Sequence, residues 1–157
     1  SGQWAGKMYG FPLTVGAWCN SRLELRTIQH HFKSYGKHTR YIGLAADEPE
    51  RIARLEPFCR TPLAEWGMTE QDCVDFLKKR DMLNPLYQKF KRLGCWFCGK
   101  QGLESLRVLR RDYPEYWAML LAWDKESPRT FKPNCTVEDL EQRFSWEDRQ
   151  MKLTAFI

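Results

Sequence analysis

The chain has 157 residues, a formal net charge of +5, 29% charged side chains and a mean hydropathy of -0.61, and its longest apolar run, Ala118 to Trp123, stops at Asp124. A membrane-spanning helix needs about 20 apolar residues, so none is expected, and the length suits one domain with its own core. The mild positive charge fits phosphate-bearing ligands or nucleic acid, and six cysteines in a cytoplasmic-type composition point to metal, cluster or thiol chemistry ahead of disulfides.

The start, Ser1-Gly2-Gln3, has neither Met nor an apolar leader, so the expectation is a cytoplasmic protein of which these residues are a fragment. Residues 9–20 are rich in Gly, Pro and small side chains and read as a loop. Leu23, Leu25, Ile28 and Phe32 recur with a loose helical period over 21–36, with Ser21 to cap and Gly36 to close. Residues 39–46, TRYIGLAA, read as a buried strand, and 59–66, CRTPLAEW, as a second strand running into a loop. Thr69 with Asp72 three positions on marks the start of a helix over 67–83, whose Cys73, Phe76 and Leu77 share a face. Beyond Leu103 the pattern is helical: Leu103, Leu106 and Leu109 on one side, a restart at Pro114, and a last helix capped by Thr136. Strands alternating with helices favour an α/β layer fold with a helical C-terminal third. The expected organisation is a single domain over 1–157, with an α/β part over 9–101 that carries the cysteine site and a helical part over 102–157.

Cys95 and Cys98 stand three apart in RLGCWFCGKQG, with glycines on both sides. Such a turn lets two thiolates converge on one metal ion or iron–sulfur cluster. A redox pair or two buried cysteines are the other readings. A metal site needs about four ligands, so partners must come from Cys19, Cys59, Cys73 or Cys135. Cys73 on an apolar helical face and Cys135 in an isolated loop position read as plain structural thiols, and His30, His31 and His38 as solvated side chains. Arg22 and Arg26, four apart on a helix, can grip a phosphate or sulfate, or form a solvated face. Lys89, Lys91, Arg92 and Lys100 surround the thiols with Tyr87, Phe90, Trp96 and Phe97 interleaved, and Arg107, Arg110 and Arg111 extend the basic stretch. That mixture suits a cluster's charge or a nucleic-acid strand. Asp47 and Glu48 read as caps ahead of ribose ligands.

The ordered segments YGFP, WCNSRLELR, YIGLAADEPERIAR, TPLAEWGMTEQDCVDFL and NPLYQKFKRLGCWFCGK resemble the phosphoadenosine and adenosine phosphosulfate reductase family, and more closely its phage and mobile-element members. The resemblance covers most of 9–125. It implies part of an adenine-nucleotide α-hydrolase-like (PP-loop) sheet and a cysteine-held [4Fe-4S] cluster, with zinc as the alternative. Cys19, Cys95 and Cys98 match the family's ligands. Trp18 stands where the family has another cysteine, so Cys59 is expected to supply the fourth, with Cys73 next.

The resemblance also implies an adenine-nucleotide or sulfonucleotide substrate, with Arg22, Arg26 and Arg51 on its phosphates. Three family features are missing. There is no Ser-Gly-Gly-x-Asp-Ser loop and no Glu-Cys-Gly-x-His ending, and Ala45 and Ala46 replace the arginines of the Gly-x-Arg-Arg segment. The expectation is therefore a reductase-like or sulfur-transfer protein whose phosphate loop comes from a parent domain or partner subunit, with this chain alone inactive. The alternative is a metal-stabilised, catalytically inactive module that binds nucleic acid or a protein.

Overall fold

The computed structural model describes Gly6, residues 8–12 and residues 16–154, with side chains through Gln150; Ser1-Gly2 and residues 13–15 of the predicted first loop lie outside the described residues. The helix predicted over 21–36 forms in three pieces. Asn20–Leu25 is a π-helix in which Arg26 donates its N–H to the Ser21 carbonyl. It continues as α1 (Arg26–Phe32) and tightens to a 3₁₀ turn at Lys33–Tyr35. Gly36 then ends it at φ 67°, a left-handed backbone that glycine adopts without a Cβ clash. Leu23, Leu25, Ile28 and Phe32 are all exposed, so their loose period does not mark a buried face.

The chain divides into two units: Ile28–Tyr87, and Ser1–Thr27 together with Gln88–Ile157. In the first, β1 (Arg40–Tyr41) runs parallel to β2 (Cys59–Arg60), with Arg40 opposite Cys59 and Tyr41 opposite Arg60. The connection carries α2 (Pro49–Ile52), as parallel pairing demands a crossover.

Both strands are shorter than predicted. After Tyr41 the Leu44 N–H turns back to the Ile42 carbonyl (3.0 Å) and the Ala46 N–H goes to Met68 (2.7 Å), so those donors leave the ladder. After Arg60, Pro62 has no N–H to give and opens α3 (Pro62–Glu65). Then α4 (Glu70–Lys78) starts at the predicted capping box: Thr69 Oγ1 accepts from the Asp72 N–H (3.1 Å), and the Asp72 carboxylate accepts from the Thr69 N–H (2.9 Å). Asp47 caps this same helix by accepting the Glu70 N–H at 3.0 Å. Phe76, predicted on the apolar face of α4, is 45% exposed, with the Arg80 guanidinium 3.6 Å from its ring centroid.

The other unit is built on α5 (Leu103–Asp112), α6 (Pro114–Glu126) and α7 (Val137–Thr154). Leu106, Leu120, Phe131, Val137, Leu140 and Phe144 are the largest fully buried side chains, each stabilising the fold by about 1.5–3 kcal/mol through burial. Thr136 caps α7 as predicted, accepting from the Asp139 N–H at 3.0 Å. The Asp124 carboxylate also accepts from the N–H groups of Val137 (3.0 Å) and Glu138 (3.3 Å), so α6 holds the start of α7. A polar seam joins α5 to α7: Arg110 forks onto Glu141 at 2.8 and 2.9 Å, and Arg107 onto Glu147 at 2.8 and 3.0 Å. The described chain is thus predominantly helical with one two-stranded parallel sheet, and none of its helices is long and apolar enough to cross a membrane.

Candidate functional site

The thiol loop is closed by its own backbone. Cys98 donates its N–H to the Cys95 carbonyl at 3.1 Å, and Gln101 donates to the Cys98 carbonyl at 3.0 Å. The Gln101 side-chain amide returns to the Cys95 carbonyl at 3.2 Å. The two residues between the cysteines anchor this turn. Trp96 stacks on Trp123 of α6, with centroids 5.3 Å apart and planes at 29°, and packs against the core. Phe97 meets Trp96 and Trp123 edge-on at 5.2 and 5.8 Å. The predicted boundary after residue 101 therefore moves: aromatic packing places the thiol loop with the C-terminal helices. Cys95 is exposed and Cys98 half-buried.

A third thiol lies beside this loop. Lys132 and Cys135 exchange backbone hydrogen bonds of 2.9 and 3.1 Å around a turn with Asn134 at φ 53°. The Lys132 ammonium donates to the carbonyls of Gly99 (2.7 Å) and Gln101 (2.6 Å), fastening that turn to the thiol loop. Burial holds the Lys132 pKa below the usual lysine range, and thiolates at Cys135 and Cys98 act against that shift. Burial, with the Asp139 charge, pushes the Cys135 thiol up, and Lys132 opposes it. Spacing alone gave no sign of Cys135 in this role; only the Pro133-Asn134 turn signal stood beside it.

Of the other predicted ligands, Cys19 belongs to the same unit as the thiol loop, and Cys59 and Cys73 to the other. Cys19 sits at the start of the π-helix, Cys59 on β2 and Cys73 on α4, all half-buried. Among the described residues no three His, Cys, Asp or Glu side chains are gathered into a group that could hold a metal ion. Cys95 and Cys98 thus offer two soft ligands on a suitable turn, which fits half of a thiolate centre.

Of the predicted phosphate arginines, Arg22 and Arg26 belong to one unit and Arg51 to the other. Arg51, in Ile28–Tyr87, is paired with Glu48, whose carboxylate also accepts the Ala45 N–H. Arg26 has no ion pair among the described residues. Arg22 reaches the Tyr9 phenol oxygen at 3.5 Å, and its guanidinium lies 5.6 Å from the ring centroid. Arg129, which sequence reasoning passed over, lies 5.0 Å from the same ring. The Arg129 guanidinium beside it, followed by the Arg22 charge, holds the Tyr9 phenol below the usual tyrosine range. Part of the basic stretch around the thiols is paired: besides Arg107 and Arg110, Arg111 and Lys89 each bond Asp112 at 2.7 Å, while Lys91, Arg92 and Lys100 have no ion pair among the described residues.

These features define a helix-rich protein with one parallel strand pair and a Cys-x-x-Cys loop held against its helical core. It is similar to the uncharacterized nin region protein ORF290 of Escherichia phage lambda, at 30% identity over 113 residues. The match takes in 68% of this chain and 37% of that protein, so the chain spans little more than a third of its relative's length. No family model and no solved structure matches the chain.

Proposed function

We propose that the chain is part of a phosphosulfate-reductase-like phage protein in which Cys95 and Cys98 anchor a [4Fe-4S] cluster or a zinc ion. The observation that carries this reading is the closed turn: the Cys98 N–H bonds the Cys95 carbonyl, and both thiols leave one short loop fixed by Trp96 and Lys132. Cys19 belongs to the same unit and is the first candidate for a third ligand. When bound, such a group supplies electron transfer or sulfur-handling chemistry if iron–sulfur, and structural rigidity if zinc. The parallel pair β1–β2 with its helical crossover suits one edge of a PP-loop sheet whose other strands lie in a longer protein. The substrate of that protein is an adenine nucleotide or sulfonucleotide.

The test is anaerobic purification followed by metal analysis and an absorption spectrum, repeated for C95S and C98S. Broad absorbance near 400 nm (roughly where iron–sulfur centres absorb) with bound iron, lost in both variants, supports the cluster. Stoichiometric zinc lost in both variants supports the structural ion. Metal-free protein after anaerobic purification sinks the proposal. The ion pairs of Arg107 and Arg110 weigh against these two residues serving a nucleic-acid module, because their charge is already matched by carboxylates.

A further inference from the structure

Tyr9, Arg22 and Arg129 form a cluster of donors with no acceptor in balance. Both guanidinium groups approach one phenol, and neither has a carboxylate partner among the described residues. A guanidinium carries five N–H donors, and a phenol that accepts from Arg22 still has its own O–H to give. Trp18 packs edge-on against Tyr9, with centroids 5.0 Å apart and planes at 81°. Its enclosed Nε1–H finds no acceptor among the described residues. Elsewhere in the same unit Arg107, Arg110, Arg111 and Arg143 are each matched by a carboxylate. Two like charges gathered on one ring without a counter-ion repel, and an anion reverses the sign of that interaction.

The cluster is also held in place by the core. Ser127 Oγ accepts the Phe11 N–H (3.2 Å) and the Arg129 N–H (3.2 Å), and donates to the Arg129 carbonyl (2.7 Å). Phe11 packs edge-on against Phe131 at 5.1 Å, and both rings are buried. Gly10 passes so close to Pro128 that an added Cβ would stand 3.0 Å from its Cδ. The backbone that follows Tyr9 and the backbone on each side of Arg129 are therefore fixed by buried packing.

We propose that Arg22, Arg129 and Tyr9 form a binding site for a tetrahedral oxyanion, the phosphate or sulfate group of a small ester or nucleotide. Such a group is acceptor-only, carries the missing negative charge, and takes charge-assisted hydrogen bonds from guanidinium and phenol donors together. The site gives Arg22 the partner that Arg26 and Arg51 do not supply. It stands on the helical unit alone, so it holds whether or not the thiols bind a metal.

The test titrates sulfate, inorganic phosphate and pyrophosphate separately into the full chain at constant ionic strength, read by calorimetry and tryptophan fluorescence. Saturable binding by the unaltered chain is expected. R22Q and R129Q should each weaken it about tenfold or more, and Y9F a few-fold, because charge-assisted bonds are lost. R54Q, on an exposed arginine of the other unit, should leave it unchanged. Where R129Q alters the circular dichroism spectrum, R129K decides, since it keeps the charge and loses the fork; intermediate affinity supports the site. The preferred anion tells a phosphate ligand from a sulfate one. No saturation with any of the three anions overturns the proposal, and so does unaltered affinity in the arginine variants.

Discussion

Lys132 donates to the carbonyl oxygen of Gly99 at 2.7 Å, and this bond fastens the turn before α7 to the loop that carries Cys95 and Cys98. A second bond to Gln101 completes the clamp. Replacing the lysine by methionine keeps most of the stem and removes both charged donors. K132M is expected to lower unfolding stability by about 1–3 kcal/mol. It should also slow alkylation of Cys135, because the cation that opposes the rise of that thiol's pKa is gone. Thermal unfolding and site-resolved mass spectrometry check the two effects; faster alkylation would refute the electrostatic role.

Acid should loosen the α5–α7 seam. Arg110's hydrogen bond, helped by Ser145 and Trp117, holds the Glu141 pKa at about 2, against a usual 4.5. The folded value is depressed, so this carboxylate's contribution is fully present above about 4.5 and is lost as the pH falls through about 2. Trp117 donates its indole N–H to Glu141 at 2.6 Å and is buried, so its fluorescence reports the change. E141Q should be less stable at neutral pH by about 1–3 kcal/mol and show a shallower decline in stability across that acid window. An unchanged pH profile in E141Q would assign the acid response to other groups.

The core prediction rests on Leu120, which is wholly buried in α6. L120A leaves a cavity that close-packed neighbours fill only in part, and should cost about 2–5 kcal/mol. The denaturation midpoint measures it. A loss below about 1 kcal/mol would show that the three-helix core is loosely packed there.

Gly10 is the most constrained glycine near the proposed anion site. It has φ +95°, and an added Cβ would meet Pro128 Cδ at 3.0 Å and Ser127 Oγ at 3.1 Å. G10A should cost about 1–2 kcal/mol for the left-handed backbone alone. It should also weaken anion binding, because Tyr9 and Phe11 shift away from Ser127. Crystal or solution structures with titration of the variant check both; full anion affinity in a destabilised variant would separate the clamp from the site.

The sequence by itself determined what depends on a few neighbouring residues. The capping pair Thr69–Asp72, the cap at Thr136 and the start of α6 at Pro114 were legible because helix termini are set by local hydrogen bonding, whereas Pro62, read within a strand, opens α3. The closed turn at Cys95–Cys98 was legible for the same reason. Strand lengths were not: the ladder after Tyr41 ends because Ala46 bonds Met68, a partner that no local pattern names. Nor was the pairing of Arg107 and Arg110 readable, since the carboxylates that hold them arrive from α7, more than thirty residues on. Tertiary structure alone brought Lys132 and Cys135 to the thiol loop, and Arg129 to Tyr9 beside Arg22. Those meetings depend on how buried aromatic and aliphatic faces pack over long sequence separations, which leaves no period or motif in the chain.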